Sequence, residues 1–255
     1  MFTDDDLPYD MQGVRGASVG SDLDLRRFEN EYLPSAVSRE VLEKNDHSPE
    51  AQLQSLRLTT QDGTPTVTAI LLLGQAPSFW MPGAYIQFVR YAGNAVTDSI
   101  KDQKAIHGTL SDQLIELDKF LKAHISNALD TSGERHVEKP DYPFVALREL
   151  SRNAVIHRNY EGTHSPVRVF WFADRVEIIN PWSVCGAVTR GNFGKGDLTA
   201  YRNPTIAEAM KAMGFARKSG RGISMARRAL EDNRNPELNF DVHDTFILAT
   251  VRERQ

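Results

Sequence analysis

Glu149 and Asn153 stand four residues apart in "LRELSRNAVIHRNY", Leu147 to Tyr160. Positions four apart share a face of an α-helix, so a helix here points both polar groups the same way. Leu147, Leu150, Ala154 and Val155 then turn to the other side. An asparagine carbonyl is a hard oxygen donor of the kind Mg²⁺ accepts alongside waters and phosphate oxygens. A glutamate one turn earlier can orient a water that attacks a phosphoryl group, or take its proton. One rigid element would thereby offer a metal ligand and a base. The same spacing also describes an ordinary solvated helix face, and chance produces it often, so the pair has to be weighed with the rest of the chain.

Two further stretches offer related chemistry. In "KSGRGISMARRAL" a glycine turn runs straight into a helix, whose free N–H groups and dipole favour an anion. Gly220 and Gly222 would let a phosphate approach the backbone, and Arg221 adds charge. The simpler alternative is a turn that only caps the preceding helix. In "DRVEIINPWSVCG" a strand ends at Asn180, whose amide can read the edge of an adenine. A plain Asx-Pro turn is the competing explanation. "GNFGKG", Gly191 to Gly196, lacks the Lys-Ser/Thr of a Walker loop and reads instead as a mobile lid. His157 reads as a helix cap or a lining residue rather than a phospho-acceptor.

The elements that must hold these groups follow from pattern. Proline opens a helix over about 144–158, and "VRVFWF" and "RVEIIN" form a strand pair turned at Ala173-Asp174. "PTIAEAMKAMGF" and "ISMARRALEDN" read as helices, and "PELNFDVHDTFILATVRE" as a closing hairpin. The result is an α/β (α+β) sandwich with helices on one face of a mixed sheet. Upstream, "LSDQLIELDKFLKAHI" carries a Leu110, Leu114, Leu117, Leu121, Ile125 stripe and reads as an amphipathic helix. "GTPTVTAILLLG" and "AYIQFVRYAG" read as strands, "SGERHVEKPDYP" as a polar connection, and residues 1–34 as loosely ordered apart from one helical piece near "DLDLRRFENEYL", with short helices following at "REVLEKN" and "SPEAQLQSL". The expected divisions are a helical extension over 1–57, a strand-helix coupling region over 58–135, and the nucleotide domain over 136–255.

Composition narrows the class. The chain has 255 residues, 40% hydrophobic and 25% charged, as in ordinary globular proteins. Its longest apolar run is too short to span a membrane, and its start, "MFTDDDLPYD", resembles no leader. The one cysteine, Cys185, excludes an internal disulfide and a cysteine metal cage, which fits a reducing cytoplasmic location. The formal net charge is −4, so no broad basic surface suits nucleic acid. Charge is uneven, however. Residues 1–49 carry eleven acidic and five basic side chains, whereas residues 202–228 carry seven basic and one acidic.

In this order and spacing, the three features resemble the GHKL ATPase superfamily of gyrase-type, MutL-type, chaperone and histidine-kinase ATP domains (the Bergerat fold). Glu149 and Asn153 match its N-box, "INPW" lies where its adenine box belongs, and "SGRGI" where its second glycine box belongs. More closely, the chain looks like bacterial and archaeal ATP-binding proteins labelled transcriptional regulators or RecG-related helicase-like proteins. "LPSAVSREVLEKN", "LLLGQAPSFWMPGAYIQFVRY", "YPFVALRELSRNAVIHRNY" and "YRNPTIAEAMKAMGF" carry that likeness over roughly residues 30–250.

The resemblance implies an Mg-ATP site used as a regulatory, ATP-gated switch with slow hydrolysis. Glu149 would activate the water and Asn153 would hold Mg²⁺. Nucleotide contacts would come from Asn153, Asn180, Trp182, Gly186, Gly194, Arg202, Asn203, Gly220, Arg221, Gly222 and Ile223. It leaves room for a homodimer and for DNA contact through a separate or missing N-terminal AlbA-like domain. The chain departs from the family at Trp182 and Ser183, where glycines are usual, and at Asn159, where aspartate is frequent. The alternatives are a non-hydrolysing nucleotide-binding scaffold and a direct DNA-binding factor using residues 35–57 as a helix pair, the latter at odds with their acidic balance.

Overall fold

Six strands form one mixed sheet in the computed structural model, which describes residues 7–44, 47–130, 137–181, 184–194, 200–216 and 221–254. The strands are β1 (Ile86–Tyr91), β2 (Ile100–Ile106), β5 (Val167–Trp171), β6 (Arg175–Pro181), β7 (Asn239–Val242) and β8 (Phe246–Arg252). Their order is β2-β1-β5-β6-β8-β7. The pair β1/β5 is parallel, with Ile86 opposite Val167, and the other neighbours are antiparallel. Alternation sets the inner face: Val167, Val169 and Trp171 of β5 and Val176, Ile178 and Asn180 of β6 are buried. The expected hairpin between these strands is present, with Trp171 paired to Val176.

The main helices are α1 (Val67–Leu73), α2 (Leu110–His124), α3 (Phe144–Ile156), α4 (Pro204–Ala212) and α5 (Gly222–Asp232). α3 contacts β5 and β6 and packs against α2, α4 and α5. α2 starts on a capping box: the Thr109 hydroxyl accepts from Asp112 N at 3.3 Å, and the Asp112 carboxylate accepts from Thr109 N at 3.3 Å. Its stripe of Leu110, Leu114, Leu117 and Leu121 is buried in a core that runs continuously from Val14 to Val251.

Three expectations are corrected. "VTAILLL" is a helix, not a strand. Thr66 caps it by accepting from Ala69 N at 3.3 Å, and all seven residues are buried. A short helix buried all round has no polar face, so it lacks the period that separates it from a buried strand. Residues 7–34 are not loose: Asp10, Leu23, Phe28 and Tyr32 are buried. The flanks of the polar connection form a two-stranded ladder, β3 (Asn127–Asp130) with β4 (Val137–Pro140), its central residues lying outside the described ones. Sequence pattern also passed over β2, "IKDQKAI", an edge strand mostly exposed and charged, as edges commonly are.

Candidate functional site

Helix α3 starts after Pro143, which presets the backbone and leaves no N–H wanting a partner. Ala146, Leu147, Leu150, Ala154 and Val155 are buried in the core. On the same helix Glu149, Asn153 and His157 follow one another at four-residue spacing and line a single cavity. Glu149 is 6% exposed. Its Oε1 accepts from the Arg148 guanidinium at 3.1 Å, and its Oε2 lies 3.5 Å from where a Cβ on Gly222 would sit. Glycine at the first residue of α5 therefore lets the backbone come right up to this carboxylate. Arg221, the N-cap residue of α5, makes no side-chain cap hydrogen bond, and Arg221, Gly222, Ile223 and Ser224 all line the cavity.

The cavity measures about 160 Å³, far beyond the roughly 10–15 Å³ that one water needs. Asn180 reaches it from the end of β6, opposite Ile247 on β8. Its side chain is buried, and Oδ1 has no hydrogen-bond partner among the described residues. Four cationic side chains, Arg152, Arg202, Lys211 and Arg221, line the cavity against one carboxylate, Glu149. Arg152 is already paired with Asp118 at 3.3 Å, so Arg202, Lys211 and Arg221 supply the positive potential that favours an anion here. At the end remote from α5, His157 stacks on Tyr201 with ring centres 5.4 Å apart, and the Lys211 ammonium lies 4.2 Å from the Tyr201 ring centre. Burial, then Lys211 and Arg202, push the His157 imidazole down to about 4, so it is neutral at pH 7.

The structure thus brings Glu149, Asn153, Asn180, Gly194, Arg202, Arg221, Gly222 and Ile223 to one cavity. Gly194 takes φ +69°, and a Cβ there would come within 3.3 Å of the Phe240 ring. Two expected contacts do not line the cavity. Gly186, in a turn at φ +60°, is not itself a lining residue but stands beside two, Cys185 and Ala200, and a Cβ there would come within 3.3 Å of Ala200. Asn203 is a buried tie: its amide nitrogen donates to the Ile156 carbonyl at 2.9 Å and the Arg158 carbonyl at 2.8 Å, joining the end of α3 to the start of α4. Trp182 and Gly220 lie outside the described residues, as do Lys195 and Gly196 of the expected lid. Tyr201 and Lys211 also line the cavity, Lys211 coming from the basic run of residues 202–228. Ala207 and Lys211, four apart on α4, both face the cavity, so the spacing argument used on Glu149 and Asn153 could have found them.

Residues 164–251 match the family model described as "Putative ATP-dependent DNA helicase recG C-terminal", an ATPase-like domain. The match covers the sheet strands β5 to β8, α4 and α5, and begins after α3. No curated protein matches the chain significantly. Among solved structures, the chain is similar to the crystal structure of the DIP2311 protein from Corynebacterium diphtheriae, with TM-score 0.69 and 19% identity. The likeness takes in 96% of this chain and 48% of that one, so the chain spans about half the length of that relative. At such identity it is the fold that is shared. No helix among the described residues is long and apolar enough to cross a membrane.

Proposed function

We propose that the chain is a GHKL-type module that binds Mg-ATP in the cavity beside α3 and works as an ATP-gated regulatory switch. The observation that carries this is the convergence of the first turn of α5, the cations Arg202, Lys211 and Arg221 and the Glu149/Asn153 face on one cavity. A triphosphate suits the α5 end, where backbone N–H groups, the helix dipole and Arg221 all favour negative charge. The unpartnered Oδ1 of Asn180 suits the exocyclic amino group of adenine, because a buried acceptor without a donor costs about 1–3 kcal/mol. Asn153 is the residue that would hold Mg²⁺. One neutral amide oxygen fits an ion commonly held by one or two protein groups together with phosphate and water. That ion would neutralise phosphate charge.

Glu149 Oε2 faces the first residue of α5, where the terminal phosphate would end. There it can orient a water and accept its proton as ATP is split to ADP and phosphate. The Arg148 contact on Oε1 keeps the carboxylate in that orientation. Gating would run through Val184, Cys185, Val188, Phe193 and Gly194, and through Ala200, Tyr201 and Arg202 just ahead of α4, all of which line the cavity.

Calorimetric titration of ATP with and without Mg²⁺ tests the reading. Wild type binds more tightly with Mg²⁺, and Asn153→Ala loses roughly 10- to 100-fold of that affinity, the range for a disturbed metal shell. Equal affinity in both proteins removes the Asn153 assignment. Glu149→Gln should keep binding while any turnover disappears; unchanged turnover excludes Glu149 as the base.

A further inference from the structure

A second cavity, of about 210 Å³, lies beyond the carboxyl ends of β1 and β5, away from the nucleotide cavity. Arg90 and Lys101 line it, and so do Asp141 and Glu253. Opposite charges around a small cleft ordinarily pair with each other. None of these four forms an ion pair among the described residues, although Asp174 nearby is engaged by both Arg175 and Arg252. Asp141 spends Oδ1 on the backbone N–H groups of Ser126 at 3.0 Å and Tyr142 at 2.8 Å. The guanidinium of Arg90 lies 5.7 Å from the centre of the Trp171 ring, which fixes it over an apolar floor.

The same cavity holds an unexplained group. Tyr142 is 1% exposed, and its hydroxyl has no hydrogen-bond partner among the described residues. Its ring packs edge-on against Trp171 at 5.2 Å. Burial, then Glu253 and Asp141, push this phenol far up, so it stays a neutral donor. A buried hydroxyl left unmatched costs about 1–3 kcal/mol, and phenylalanine would avoid that cost in the same volume.

We propose that this cavity is a binding site for a small zwitterion of the α-amino-acid class. Its carboxylate is taken by Arg90, Lys101 and the Tyr142 hydroxyl, and its ammonium by Asp141 and Glu253. Both pairs of like charges are then neutralised by one ligand that carries both signs. The site is independent of the nucleotide cavity, and the proposal does not require that ATP binds.

The test is a thermal-melt and calorimetric screen of the full chain with the L-amino acids at millimolar concentration, beside acetate and methylammonium as single-charge controls. At least one amino acid should raise the melting temperature and give a saturable heat, whereas neither control does. Arg90→Gln and Asp141→Asn should each weaken that binding at least tenfold. Tyr142→Phe guards against misfolding as an explanation. It should melt at or above the wild-type temperature without ligand, yet lose most of the ligand response. The proposal is overturned if no amino acid shifts the melt, or if acetate alone reproduces the shift. It is overturned equally if Tyr142→Phe responds as wild type does, which would mean that the amino acid binds elsewhere on the chain.

Discussion

At the scale of single residues, burial sets the charge state of one group that lines the cavity. His157 shows the consequence. Its folded value, held down to about 4 by burial and by Lys211 and Arg202, lies below the ordinary 6.5. A depressed imidazole means the unfolded chain binds the proton more tightly. The stability it contributes is therefore complete above pH 6.5 and is lost as pH falls from there towards 4. At pH 5 the loss is on the order of 1–2 kcal/mol. Urea unfolding at pH 7 and pH 5 should show a drop that is smaller by this amount in His157→Gln. Parallel drops in both proteins would mean that His157 is protonated in the fold. Glu149, Asn153 and Asn180 were legible as candidates because carboxylate and amide at four-residue spacing and an amide at a strand end are chemical patterns. The stacking of His157 on Tyr201 was not, because the two rings come from segments 44 residues apart.

At the scale of elements, the N-terminal segment holds α4, which lines the cavity through Ala207 and Lys211. Asp10 is fully buried, and its Oδ2 accepts from Thr205 N at 2.8 Å and Ile206 N at 3.0 Å. It thus caps α4 from 195 residues away, while Asn203, the local N-cap position, gives its amide to the end of α3 instead. The sequence "RNPTIAEAM" announces a helix through its proline, but nothing local announces where its cap comes from. The same limit explains α1: Val67–Leu73 is buried on every side, and composition alone cannot separate a buried helix from a buried strand. Asp10→Ala leaves two N–H groups without an acceptor and should cost about 1–3 kcal/mol of global stability. Hydrogen exchange at Thr205 and Ile206 should speed up more than exchange in the strands. Uniform acceleration would show that Asp10 supports the fold at large and not α4 in particular.

At the scale of the whole molecule, the fold class was legible because the strands of residues 167–252 alternate cleanly and their helices open on proline or glycine. The first half was harder to read. Its strands β1 and β2 join the same sheet from an earlier part of the chain, and the β1/β5 pairing is a long-range parallel contact that no local pattern encodes. Charge distribution separates the two regulatory readings. Arg202, Lys211 and Arg221 turn into the cavity, whereas a phosphate-tracking DNA surface would spread its cations along the outside. Arg221→Ala should therefore weaken ATP binding by about 1.5–3 kcal/mol, the range for a hydrogen bond to a charged group. Any retention of duplex DNA by the chain alone should be weak and fall little with salt, because few counterions are released. The opposite pair of results, intact ATP affinity in the variant together with steep, salt-sensitive DNA binding lost on the same substitution, would move the basic segment from the nucleotide to DNA and favour the direct DNA-binding reading.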